Sequence, residues 1–229
     1  MSTTRSPDGF GAALRQFFGV PFRQQTYRNL AYLALAFPLG LAYFVGVTTG
    51  LSTGFGLLVT LIGVPLLVLT VAATTALAGF EAKLATWLLG VETTPPEALD
   101  DLGSADLRTL DGLVEATRRL LSEPTTWTGL LLVLLKLVFG VVAFVALVTA
   151  GSVAGTFLTM PLFYDAGTVT YTVGPYVVDT LGEALAGSVL GVLALLVSLH
   201  VLNGLARFGG FTTVVLLGDG LDDTPSDGA

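Results

Sequence analysis

GLLLVLLKLVFGVVAFVALVTAGSVAGTF, residues 129–157, is an apolar run in which Lys136 is the only charge. About 20 such residues suffice for a helix to cross the hydrocarbon core of a bilayer. Residues 29–49, 55–79 and 184–206 read the same way, and none of them contains Asp or Glu. The chain as a whole is 53% hydrophobic and 12% charged, with a mean hydropathy of +0.81. Soluble domains carry about 25% charged residues, so lipid is the expected solvent. The sequence predicts an all-α membrane protein of four transmembrane helices, the first of them a span rather than a cleaved signal, since its apolar run exceeds the roughly 7–15 residues of a signal core.

Basic residues orient the spans. Arg5, Arg15, Arg23 and Arg28 precede the first; Lys83, Arg108, Arg118 and Arg119 lie between the second and third; Arg207 closes the fourth. The connections 50–54 and 158–183 have no Lys or Arg. Both termini are therefore expected in the cytoplasm, with Lys136 snorkelling towards that side. The layout expected is an N-terminal segment 1–25, a four-span domain 26–218 with a cytoplasmic loop 81–127 and an outer loop 158–183, and an acidic tail 219–229.

Thr26–Val45 aligns with Thr126–Val145 at a constant offset of 100. Thr26, Leu30, Leu35, Gly40, Phe44 and Val45 all recur there. Leu88-Leu89-Gly90 recurs as Leu216-Leu217-Gly218. This pattern predicts two parallel-repeated hairpins, each followed by a surface-lying segment. Phe10, Leu14, Phe17 and Phe18 suggest an interfacial amphipathic helix before the first span. A second cytoplasmic helix is expected from Ser104, with Leu107, Leu110, Val114 and Leu121 as its apolar stripe and Glu123-Pro124 as its stop.

Net charge is −7, which suits a high-salt cytoplasm and argues against nucleic acid, because phosphate binding needs clustered Lys and Arg. With no cysteine there are no disulfides, thiolate metal sites or cysteine nucleophiles. No phosphate loop and no nucleophile–base pair appears; Ser198 and His200 point to different faces of a helix. Neither cofactor nor metal is implied, and the chain is not expected to be an enzyme.

Polar groups inside a membrane are functional candidates by default. His200 and Asn203 share a face of the fourth span, and Thr74 and Thr75 are candidate partners for them; a structural interhelical hydrogen bond is the plainer reading. In the outer loop, Tyr164, Asp165, Asp179 and Glu183 are candidates for ligand or signal sensing, although acids in a first helical turn also simply complement the helix dipole. The 168–173 stretch alternates as a strand does. Pro38 and Pro65 are expected to kink the first two spans near the midplane, with Val138 replacing the first of them in the second half. Gly151/Gly155 and Gly187/Gly191 read as packing seams.

Several motifs together resemble a known family. Thr26-Tyr27-Arg28-Asn29-Leu30 leads into Phe37-Pro38-Leu39-Gly40, and Gly63-Val64-Pro65-Leu66-Leu67 and Leu88-Leu89-Gly90 follow. Glu123-Pro124-Thr125-Thr126-Trp127, Pro161-Leu162-Phe163-Tyr164 and Thr180-Leu181-Gly182-Glu183-Ala184 come next in order. Over about residues 20–218 this resembles the "putative sensor" membrane domain of actinobacteria and haloarchaea, which often precedes a histidine kinase. The resemblance implies a four-span sensory module and assigns no ligand. The residues after Gly218 contain no phosphoacceptor helix or ATP-binding domain, so a signal is expected to pass to a separate protein.

Two function classes remain open. One is a membrane sensor that reports through residues 92–123 to a cytoplasmic signalling protein, as a monomer or a homo-oligomer in the lipid bilayer. The other is a small transporter or channel-like protein, favoured by the repeat and the prolines and disfavoured by the lack of an evident buried charge. A structural subunit is a third.

Overall fold

The computed structural model describes residues 17–60, 62–91, 124–167 and 169–217, with the single positions Gly11, Arg15, Arg118 and Ser122. Four long helices fill most of these: α1 (Gln24–Gly56), α2 (Gly63–Leu89), α3 (Pro124–Phe163) and α4 (Leu181–Leu217). Each is long and apolar enough to cross a bilayer, and the protein is a multi-pass membrane protein. At 1.5 Å per residue α2 is about 40 Å long and α3 about 60 Å, against a hydrocarbon core of about 30 Å. The helices therefore run beyond the apolar stretches read from the sequence.

A short turn with the 3-10 segment Leu58–Thr60 joins α1 to α2. The expected turn at 50–54 is instead helix, and the second span begins at Gly63 rather than at 55. The glycines there serve close packing. A Cβ on Gly50 would meet the Thr70 side chain, and one on Gly54 would meet Leu67. Pro65 consequently falls in the first turn of α2, where the missing N–H costs nothing, and it is not a midplane kink. Pro38 does lie inside α1, which continues through it as helix.

Between α3 and α4 the chain makes a two-residue hairpin, β1 (Thr172–Val173) antiparallel to β2 (Tyr176–Val177). Gly174 at φ 62° supplies the left-handed residue that a Gly-Pro turn needs. The 168–173 alternation thus shortens to Thr172 and Val173, paired with Val177 and Tyr176. Gly90, at φ 69°, stops α2 with its N–H bonded to the Thr86 carbonyl.

The chain divides into two compact units, Met1–Leu30 with Val145–Leu205, and Ala31–Phe144 with Ala206–Ala229. In the second unit the core is Tyr43, Val47, Ala78, Ala82, Leu132, Val133 and Leu217. There α1 and α3 cross backbone to backbone. A Cβ on Gly40 would come within 2.6 Å of the Lys136 carbonyl oxygen and 2.8 Å of the Leu137 Cα; one on Gly140 would come within 2.5 Å of the Ala36 carbonyl oxygen and 2.7 Å of the Phe37 Cα. The contacts are reciprocal at an offset of 100. Phe37 stacks on Phe144 beside them, with ring centroids 5.0 Å apart.

In the first unit Gly187 and Gly191 are a packing seam, meeting Met160 and the Phe157–Leu158 backbone respectively. Gly151 and Gly155 are not, because a Cβ on either would meet nothing within 4 Å. Of the expected N-terminal amphipathic helix, Phe10 and Leu14 lie outside the described residues. So do the tail 219–229, the helix expected from Ser104 and the 92–123 segment, apart from Arg118 and Ser122.

Packing at these glycines gives opposite expectations for substitution. Gly40→Leu or Gly140→Leu should lower the melting temperature in detergent sharply, since overpacking costs about 1–3 kcal/mol even where neighbours can move. Gly151→Ala should leave it unchanged.

Candidate functional site

The most buried charge among the described residues is on α2. Residues 81–89 continue the helix with good helix formers, and its inward stripe runs Ala78, Glu81, Ala82, Leu84, Ala85 and Leu88, all buried. Lys83 and Trp87 point outward. Glu81 thus sits on the apolar face, 0% exposed, about 12 Å or two turns from the end of α2. A lone carboxylate in such a place is costly, and its neighbours explain how it is tolerated.

Lys136 of α3, 4% exposed, places its Nζ 2.5 Å from Glu81 Oε2. The same Nζ donates to the Tyr32 hydroxyl at 3.1 Å and lies 4.2 Å from the Tyr32 ring centroid and 5.8 Å from that of Phe139. Tyr43 donates its hydroxyl to Glu81 Oε1 at 3.1 Å. Two residues of α1 and one each from α2 and α3 therefore make one neutral, hydrogen-bonded cluster. On α4, Gly209 leaves the space: a Cβ there would lie 2.5 Å from Phe139 Cζ and 3.0 Å from Tyr32 Cε1.

Lys136 does not snorkel. It is legible in the sequence as a lone cation in the most apolar run, whereas Glu81 falls at the start of the expected cytoplasmic loop 81–127, because hydropathy falls at the first charge. The signal that pairs them is their opposite sign on the inward stripes of two spans.

A second polar network joins α1 to α4 in the other unit. Gln25 donates to Asn29 Oδ1, Asn29 Nδ2 donates to Asn203 Oδ1 at 2.7 Å, and Asn203 Nδ2 donates to Thr26 Oγ1 at 3.2 Å. The Thr26 hydroxyl in turn donates to the Val20 carbonyl. Asn203 is thus an interhelical clasp. His200 is not part of it: Nδ1 lies 2.8 Å from the Leu196 carbonyl of its own helix, and the ring stacks on Phe17 at 4.6 Å. The Thr74 and Thr75 hydroxyls bond back to their own helix, at the Thr70 and Val71 carbonyls.

Among the loop candidates, Tyr164 and Asp165 form the turn leaving α3, and Asp165 and Asp179 are exposed. Glu183 is taken up by a capping box: its carboxylate accepts from the Thr180 and Asp179 N–H groups, and its own N–H donates to the Thr180 hydroxyl. The three acids therefore do not gather as cation ligands. A depression of about 660 Å³ does occur nearby, between α3 (Gly151, Ser152, Gly155, Thr156, Thr159) and Val169–Thr172. Its lining carries hydroxyls and no charge.

A family model described as "Putative sensor" matches residues 32–217. The chain belongs to that family. Neither a curated protein nor a solved structure matches it. The matched region includes every member of the buried cluster, from Tyr32 through Tyr43 and Glu81 to Lys136, and the whole 164–180 connection. Among the described residues of this Putative sensor, the buried charge pair lies inside the helices rather than in a loop.

Removing one partner of a buried pair strands the other, a loss of about 3–5 kcal/mol, whereas replacing both with apolar groups is often neutral. Glu81→Leu and Lys136→Leu should each lower the melting temperature in detergent strongly. The double variant Glu81→Leu/Lys136→Met should recover most of the loss.

Proposed function

We propose that the protein is a multi-pass sensor module that takes up an external or membrane signal and passes it to a cytoplasmic partner through residues 92–123, without chemistry of its own. The observation that carries this reading is the Putative sensor match over residues 32–217. The buried cluster supports it. An ion pair that ties α2 and α3 to α1 in low dielectric is a contact whose closing or opening a signal could bias. The charge-free depression beside Val169–Thr172 is a surface that a ligand with hydroxyl or amide groups fits.

Orientation follows the basic residues, with both termini in the cytoplasm and the connections around Val59 and Asp165 outside. The absence of cysteine makes this directly testable. Val59→Cys (Val59 is 94% exposed) and Asp165→Cys should react with a membrane-impermeant maleimide in intact cells, and Trp87→Cys only after permeabilisation. The reverse pattern would invert the signal's direction.

Internal duplication belongs to the same reading, supported by contacts that recur at fixed offsets. On Gly63 a Cβ would meet the Leu57 and Leu58 backbone; on Gly191 it would meet that of Phe157 and Leu158. Thr60 Oγ1 donates to the Leu57 carbonyl, and Ser188 Oγ to that of Phe157. Residues of α1 map onto α3 at 100 and those of α2 onto α4 at 128, the offset that also relates Leu89-Gly90 to Leu217-Gly218.

A transporter is the second reading, and the Glu81–Lys136 pair is what favours it, since buried charges mark ion and proton pathways. The two are separated by deleting residues 97–122 in the full chain. A sensor loses its cytoplasmic partner on co-purification from its native membranes and loses the associated response. If both persist the relay is wrong, and ion flux in proteoliposomes that vanishes in Glu81→Gln would establish the transporter instead.

A further inference from the structure

The buried cluster draws on both halves of the duplicated scaffold, yet none of its four polar residues is repeated at the position the duplication relates to it. At an offset of 100, Tyr32 corresponds to Leu132, Tyr43 to Ala143 and Lys136 to Ala36; at 128, Glu81 corresponds to Gly209. All four counterparts are buried. The same helix crossing, reciprocal at Gly40 and Gly140, is thus filled on one side by a carboxylate, an ammonium and two phenols, and on the other by leucine, alanines and glycine. The charges are thus particular to one of the two related sets of positions, and burying them is expensive.

We propose that this cluster is a membrane-buried proton-binding site, with Glu81 the acceptor and Lys136 the internal cation that leaves it. The geometry provides for both states. With Glu81 ionised, its two oxygens are taken by Lys136 and Tyr43. A proton from the aqueous phase adds to the carboxylate as COO⁻ + H⁺ → COOH, and no other bond is made or broken. The neutral acid then donates to the Tyr43 oxygen from which it had accepted. Lys136 keeps its charge and its other partners, the Tyr32 hydroxyl at 3.1 Å and the faces of Tyr32 and Phe139, a desolvated arrangement in which cation–π attraction is strongest. One proton therefore releases α2 from α3 without leaving the ammonium unpartnered. The titratable and charged groups facing Glu81 are these alone among the described residues: Tyr32 and Tyr43 from α1 and Lys136 from α3. From α4 the cluster meets Gly209, and Arg207 is exposed.

This site rests on the sensor reading for what the switch is connected to, and its test is independent of any partner. The full chain in nanodiscs is acidified, and infrared difference spectra are recorded alongside the distance between spin labels on Trp87→Cys and Phe211→Cys, both exposed positions. In the otherwise native chain a protonated-carboxyl band should appear together with a change in label distance. Both should be lost in Glu81→Gln. The variant Glu81→Leu/Lys136→Met, which replaces both ions with apolar side chains of similar size, should stay folded and hold one label distance at every pH. The proposal is overturned if no Glu81 carboxyl band appears while the chain stays folded, or if the band appears with no change in distance. It is equally overturned if the double variant fails to fold, which would make the cluster structural. A chain that fails here yet still engages its partner through 97–122 leaves the sensor reading standing. A chain that protonates and shifts but has no partner leaves the switch and removes the relay.

Discussion

A carboxylate and an ammonium cannot remain singly in hydrocarbon, and most of this structure can be traced to that constraint acting on Glu81 and Lys136. Each ion must be neutralised by the other, so α2 and α3 are held in one register. Each also has hydrogen-bonding capacity left over, so α1 must bring phenols to the same point, and Tyr32 and Tyr43 do so. For a chain with few other polar groups in its spans this sets the rotation of three helices about their axes. Leucine-to-leucine contacts would not, since lipid tails pack against leucine equally well.

The glycines make that meeting close enough. At Gly40 and Gly140 the backbones of α1 and α3 touch with no side chain between them, which brings Lys136 within reach of residues on α1. Gly209 opens the room beside the Tyr32 and Phe139 rings that a longer residue would fill. Small residues and a single charge pair thus solve different parts of one problem: approach on the one hand, and register on the other.

The existence and number of the helices were plain from residues such as 129–157, because twenty or more apolar positions in a row have few other uses. Their ends were not. Hydropathy falls at the first charge, so α2 was cut short of Glu81, and the Gly and Ser residues at 50–54 look like a turn when in fact they face Thr70 and Leu67. The pair of candidates on the fourth span came apart for a related reason. His200 and Asn203 share a face, but which neighbour meets each depends on the three-dimensional path of residues 17–29, which no periodicity encodes. The functional cluster was half visible, as Lys136 alone. Its partner was 55 residues away and could be matched to it only by sign and by stripe.

That separation also bears on how the chain is made. Synthesis proceeds from the N-terminus, and earlier elements are in place before later ones emerge. When α2 first enters the bilayer, the partner of Glu81 has not yet been synthesised, and the carboxylate has every reason to stay at the aqueous boundary with the last two turns of the helix drawn out beside it. Only when α3 arrives can those turns slide inward. The pairing that seats the second helix thus has to wait for the third to be made.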